Sequence, residues 1–161
     1  MDRLWSPWRA KYIASGVDSQ SSTCVFCEIG NDKENDEKNF VLFRGQFNFL
    51  VLNLFPYISG HILVVPYLHL AEFDSAPKQV TDEMMDLLKR SQTALRAAYK
   101  PAGFNVGMNF GAVAGAGIVD HIHAHILPRW GGDTNFMTTI SETRVLPESL
   151  ETTYAKLRVQ F

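Results

Sequence analysis

The spacing of apolar positions along the chain changes several times, and each change marks an element. Residues 40–43 and 47–53 are two short runs of β-formers separated by Arg44-Gly45-Gln46, the layout of a β-hairpin. Residues 56–60 (PYISG) are turn-rich. Residues 61–66 (HILVVP) make a continuous apolar run closed by proline, which predicts a short buried strand. The period then lengthens. Val80, Met84, Leu87, Leu88, Ser91, Leu95 and Ala98 recur at helical spacing, so a helix is expected to begin near Ser75 or Pro77, with Ser75 as its N-cap, and to stop before Pro101-Ala102-Gly103. Phe104, Val106, Met108 and Phe110 alternate with small or polar residues, as in a strand with one buried face. A glycine-rich link, residues 111–117 (GAVAGAG), leads to residues 121–127 (HIHAHIL), which again alternate with period two. Leu150, Tyr154 and Leu157 predict a short amphipathic helix. Residues 1–23 read as an irregular arm and residues 31–39 (NDKENDEKN) as an exposed polar loop. With no internal repeat, the outline is an α+β fold, a small antiparallel sheet carrying one main helix.

Length and composition narrow the function classes. A chain of 161 residues has the size of one domain, here expected to span 1–161 with 1–23 as its arm. Its 46% hydrophobic and 20% charged residues are ordinary for a packed globule and exclude a disordered chain. A net charge of -2 supplies no basic field for nucleic acid or an anionic membrane, so a nucleotide would have to be handled in a pocket. No apolar run approaches the roughly 20 residues of a membrane span, and residues 1–9 (MDRLWSPWR) lack the apolar stretch of a signal peptide; a cytoplasmic protein is expected.

The candidate chemistry lies in the histidines and cysteines. His121, His123 and His125 would share one face of a strand, with their outer Cα atoms about 13 Å apart, too far for one zinc to hold all three without a sharp bend. The row therefore divides its labour. One alternative is three exposed histidines on the solvent face of an edge strand. Directly after a glycine-rich loop whose N–H groups can form an anion-binding concavity, however, the row suits phosphate. A neutral imidazole can attack phosphorus or exchange a proton, and a protonated neighbour adds charge and a donor, without a catalytic metal. Cys24-Val25-Phe26-Cys27 is half of a tetrahedral zinc site. A redox reading would want the first cysteine at a helix N-terminus after a strand, whereas this pair follows Ser21-Ser22-Thr23 and precedes a charged loop.

Taken together, Asn53, Gly60-His61-Ile62-Leu63-Val64-Val65-Pro66, Asn109 with Gly111, and His121-Ile122-His123-Ala124-His125-Ile126-Leu127-Pro128 resemble the histidine-triad family of nucleotide hydrolases and transferases, over about residues 24–130. The flanks, Ser6-Pro7-Trp8-Arg9 with Lys11-Tyr12, and Pro128-Arg129-Trp130 followed by Asp133, Phe136 and Met137, look most like the bacterial branch that includes short diadenosine tetraphosphate phosphorylases. The resemblance implies a nucleotide substrate and a covalent nucleotidyl-histidine mechanism. His123 would attack the α-phosphorus, His125 would bind phosphate and help the leaving group, and His61 would lie beside the triad and help fix it. By the same resemblance Asn53 would take the ribose hydroxyls and Asn109 the phosphate region; strand-end hydrogen bonding is the plainer reading of both. Gly115-Ala116-Gly117 stands where the commoner pattern carries a glutamine, so phosphate contacts would fall to backbone donors such as those of Gly115 and Gly117, and the choice of water or phosphate as acceptor stays open.

In zinc-containing relatives a similar cysteine pair is joined by two histidines, here His69 and His121, which implies a structural Zn2+ held by Cys24, Cys27, His69 and His121. The resemblance also implies a homodimer with the sheet continued across subunits, a tetramer being possible if Trp5, Trp8 and Trp130 are interface rather than core residues. An adenosine phosphoramidase would use the same residues. A nucleotide-binding or zinc-dependent interaction module without turnover is the reading from another class.

Overall fold

The computed structural model describes residues 24–134 and 146–161. The expected arm, with Trp5 and Trp8, and the flanking Phe136 and Met137 lie outside the described residues. Five strands, β1 (Val41–Arg44), β2 (Asn48–Leu52), β3 (Ile62–Pro66), β4 (Gly103–Met108) and β5 (Ala124–Arg129), form one sheet in the order β1-β2-β3-β5-β4. Every pairing is antiparallel. Helix α1 (Val25–Asn31) precedes the sheet, α2 (Lys78–Tyr99) joins β3 to β4, and α3 (Leu150–Arg158) follows. The α+β outline expected from the sequence is the observed one.

All positions of β2 and β3 are buried because both faces of the sheet are covered. Leu50, Leu52, Ile62, Val64 and Ile126 pack with Met84, Leu87, Leu88 and Leu95 of α2 and Leu157 of α3. On the opposite face Phe49, Val51, Leu63 and Val65 pack with Phe26 of α1. The second face explains why residues 61–66 are apolar without alternation. Gly60, at φ 82°, turns the chain into β3 where a Cβ would stand 3.0 Å from Leu95 and 3.2 Å from Pro128, so only glycine fits.

Four expectations are corrected. Ser75 does not cap α2: it ends a 3-10 turn (Phe73–Ser75), its hydroxyl donates to the Glu72 carbonyl, and the helix starts after Pro77. Proline forces Ala76 into extended backbone, which prevents the helix from running back to Ser75. The triad strand begins at Ala124 rather than at His121, because the Ile122 N–H is spent on the Leu70 carbonyl at 2.8 Å instead of on a ladder. The strand of Phe104, Val106 and Met108 has no fully buried face: β4 is an edge strand, and Val106 is 54% exposed. Lastly, the sequence predicts no helix at the cysteine pair, yet Cys24 is the N-cap of α1 and Cys27 lies within it, ahead of the charged loop.

Candidate active site

The three histidines are buried, not displayed on a solvent face: His121 is 0%, His123 6% and His125 9% exposed. The alternative of exposed residues on an edge strand is thereby excluded, since β5 lies inside the sheet between β3 and β4. His61, at the start of β3, is also buried. Its Nε2 is 2.8 Å from His125 Nδ1. The His123 and His125 ring centroids are 4.9 Å apart.

Backbone partners, which have fixed donor and acceptor roles, assign every tautomer in this group. His123 Nδ1 lies 3.0 Å from the His121 carbonyl and must donate to it, which leaves a lone pair on His123 Nε2. The Phe55 N–H donates to Asn53 Oδ1 at 2.9 Å, so the amide nitrogen of Asn53 faces His61 Nδ1 at 3.3 Å. The Tyr57 N–H donates to the same Nδ1 at 3.2 Å. With Nδ1 an acceptor, His61 carries its proton on Nε2 and donates to His125 Nδ1. His125 in turn carries a proton on Nε2. The site thus offers one bare imidazole nitrogen and, one residue pair away, one N–H. Burial pushes His123 below the ordinary histidine range and so favours the neutral ring, against the opposing effect of its bond to the His121 carbonyl.

Both histidines open onto a cavity of about 300 Å³. Its apolar wall comes from Val25, Phe26 and Ile29 of α1 and from Val51 and Leu63 of the sheet; Asn53, Phe55 and Tyr57 of the β2–β3 loop and Gly115, Gly117 and Ile118 complete it. A slot of this size with an apolar body and a few convergent polar groups suits a small planar ligand with a charged end. Asn109 stands apart from the cavity lining, and its amide donates to the Gly115 carbonyl at 3.3 Å, bracing the glycine loop, whose Gly111 and Gly115 both have positive φ. The apolar wall was missed in the sequence. Val51 and Leu63 look like any core residues, and the segment of Val25, Phe26 and Ile29 is too short for its spacing to mark a helical face.

At the first turn of α1, Cys24 and Cys27 join His69 and His121 to place four ligand atoms within 4.8 Å of one another. Cys24 Sγ is 3.3 Å and Cys27 Sγ 3.7 Å from His121 Nδ1, and Cys27 Sγ is 3.3 Å from His69 Nδ1. A tetrahedron built on Zn–S of about 2.3 Å and Zn–N of about 2.0–2.1 Å has edges of about 3.4–3.8 Å; the three separations given above match such edges, and the widest in the cluster would have to close by about 1 Å. His121 Nε2 donates to the Pro66 carbonyl at 2.9 Å, which turns the lone pair of Nδ1 toward the sulfurs.

The HIT domain family matches residues 33–132. A protein of Mycobacterium tuberculosis named AP-4-A phosphorylase is 36% identical over 167 residues, covering 100% of this chain and 85% of that protein. An adenosine 5'-monophosphoramidase of Saccharomyces cerevisiae is 30% identical, covering 77% of this chain and 73% of its own length. Among solved structures, a Zn-bound histidine triad family protein from Mycobacterium smegmatis superposes with a TM-score of 0.70 at 27% identity, over 86% of this chain and 92% of that one. With its triad buried beside an apolar cavity, the chain belongs to the HIT domain family, the histidine-triad family of nucleotide hydrolases and transferases.

Proposed function

We propose that the protein is an enzyme that cleaves dinucleoside polyphosphates of the diadenosine tetraphosphate type at the α-phosphate, through a nucleotidyl group held on His123. The observation that carries this reading is the pair of assigned tautomers, a bare Nε2 on His123 and a proton on Nε2 of His125, on two histidines that line one nucleotide-sized cavity. His123 Nε2 forms a bond to the α-phosphorus while the bond from phosphorus to the bridging oxygen breaks, and the remaining polyphosphate leaves as an anion. The N–H of His125 donates a hydrogen bond to that oxygen as charge develops on it. The His121 carbonyl, which accepts from His123 Nδ1, stabilises the positive charge that the ring acquires. An acceptor oxygen then attacks the same phosphorus and frees His123.

The 36% identity to the mycobacterial phosphorylase supports phosphate as that acceptor. A phosphate dianion also attacks without a general base, which suits a site whose second histidine is set as a donor. In this reading the base lies against Phe26 and Ile29, Asn53 takes the ribose hydroxyls while orienting His61, and the N–H groups of Gly115 and Gly117 meet the phosphates. Asn109 acts on them through the loop. The phosphoramidase reading uses the same residues and draws support from the yeast relative.

Cys24, Cys27, His69 and His121 would hold a zinc ion whose role is structural, and it would tie α1 to the triad segment. A homodimer would continue the sheet across the exposed edge of β4.

Incubation with diadenosine tetraphosphate, with and without inorganic phosphate, followed by anion-exchange separation, tests the reading. ADP together with ATP, formed only when phosphate is present, is expected. AMP and ATP without phosphate would make water the acceptor, and no products with this substrate but cleavage of an adenosine phosphoramidate would transfer the assignment to the second reading. Nucleotide binding without cleavage of either substrate would leave a binding module.

A further inference from the structure

We infer that Arg44 is a positioning residue for the nucleobase end of the cavity, acting by locking the last turn of α1, the helix that supplies the cavity's apolar wall. The inference rests on the nucleotide reading proposed above and adds to it a residue that touches no ligand.

Arg44 ends β1, and its side chain is only 16% exposed. Its guanidinium is committed almost wholly to one helix end. Nη1 donates to the Gly30 carbonyl at 3.0 Å, and Nη2 donates to the carbonyls of Ile29 at 3.0 Å and Asp32 at 2.9 Å. Nε donates to Asp36 at 2.8 Å, which fixes the fork in place.

The last carbonyls of any helix lack partners within it, and a helix of seven residues cannot hold itself together in water. In α1 the Glu28 and Asn31 carbonyls accept backbone N–H groups from Asp32 and Lys33. Those of Ile29 and Gly30 accept from Arg44. Ile29 is the link to function, because it lines the cavity and its own carbonyl is one that Arg44 holds. The seat is close: a Cβ on Gly30 would stand 3.3 Å from the Tyr67 ring and 3.5 Å from the Phe49 ring, so α1 rests directly on the sheet. The helix is therefore fastened at its first turn by the Cys24 and Cys27 cluster and at its last by Arg44, with Phe26 and Ile29 between them. His123, by contrast, is held by the His121 carbonyl and does not depend on the last turn of α1.

Loosening that turn should weaken binding of the base more than the chemical step. The test compares wild type with Arg44→Ala and Arg44→Lys in steady-state cleavage of diadenosine tetraphosphate, in calorimetric binding of AMP, in metal content and in thermal unfolding. For Arg44→Ala, KM and the AMP Kd are expected to rise about tenfold while kcat stays within about threefold, the signature of lost binding rather than lost chemistry. Metal content should match wild type. Arg44→Lys keeps the charge beside Asp36 but loses the planar fork, so it should fall between the two, and it carries the test if the alanine variant does not fold. AMP affinity and KM within about twofold of wild type in the folded variants, or a fall in kcat with KM unchanged, would overturn the role of Arg44 alone. A wild-type protein that binds no AMP would overturn the nucleotide reading, and this inference with it.

Discussion

At the residue scale, the chemistry of this site is set by backbone groups more than by neighbouring side chains. The His121 carbonyl, the Phe55 and Tyr57 N–H groups and the Pro66 carbonyl decide which nitrogen of His123, His61 and His121 carries a proton, and His61 passes its choice on to His125. The strands and the β2–β3 loop thus hold the tautomers before any substrate arrives. A second, partly buried polar arrangement does similar work for the fold. Glu83 of α2 accepts the N–H groups of Gln46, Phe47 and Asn48, each at 2.7 Å, and the Asn48 amide at 2.8 Å. Burial opposes ionisation of Glu83, but these four donors outweigh it and hold the carboxyl below its ordinary value. A carboxyl whose folded-state pKa is depressed contributes stability above its unfolded pKa and loses it as pH falls through the folded value. Glu83→Gln puts an NH2 donor against backbone donors and should cost about 2 kcal/mol at neutral pH, shrinking toward zero below the carboxylate range. Urea denaturation at both pH values checks this; an equal loss at both would show that charge is not what the N–H groups require.

At the scale of elements, α1 decides whether the cavity exists. It has no side-chain N-cap and only seven residues, so its position depends on the cysteine–histidine cluster at one end and Arg44 at the other. Cys27→Ser is expected to lose the metal, measurable as zinc per chain by plasma mass spectrometry, and with it most of the affinity for AMP. Zinc absent from the wild-type protein, or affinity unchanged in the variant, would remove the structural metal from the account. The helix is also where the sequence was least legible. Seven residues containing Gly30 span barely two turns, too few for periodicity to register, and α1 exists because tertiary contacts hold it. The 22 residues of α2 were legible because their apolar stripe repeats over several turns. Strands β2 and β3 were legible as apolar runs. The exposure of β4 was not, because an edge position depends on strand order in the sheet rather than on the alternation of Phe104, Val106 and Met108. His61 and the triad histidines could be picked out because the residue types are rare and their spacing is specific. The partners that fix their tautomers are carbonyls and N–H groups, which every residue carries and no sequence pattern displays.

At the scale of the whole molecule, β4 ends the sheet formed by the described residues, with Val106 and, just beyond it, Phe110 exposed. Natural sheets seldom leave such an edge open. Light scattering on the eluted protein is expected to give the mass of two chains, and Val106→Asp to reduce it to one; a wild-type mass of one chain would contradict the dimer. The central claim concerns His123, and one measurement addresses it directly. Protein mixed with diadenosine tetraphosphate is quenched at alkaline pH, where phosphorus–nitrogen bonds persist, and its intact and peptide masses are read. The account predicts one nucleotidyl group per modified chain, located on His123 and absent from His123→Ala. Cleavage at the wild-type rate by His123→Ala, or a nucleotidyl group located on another residue, would contradict it.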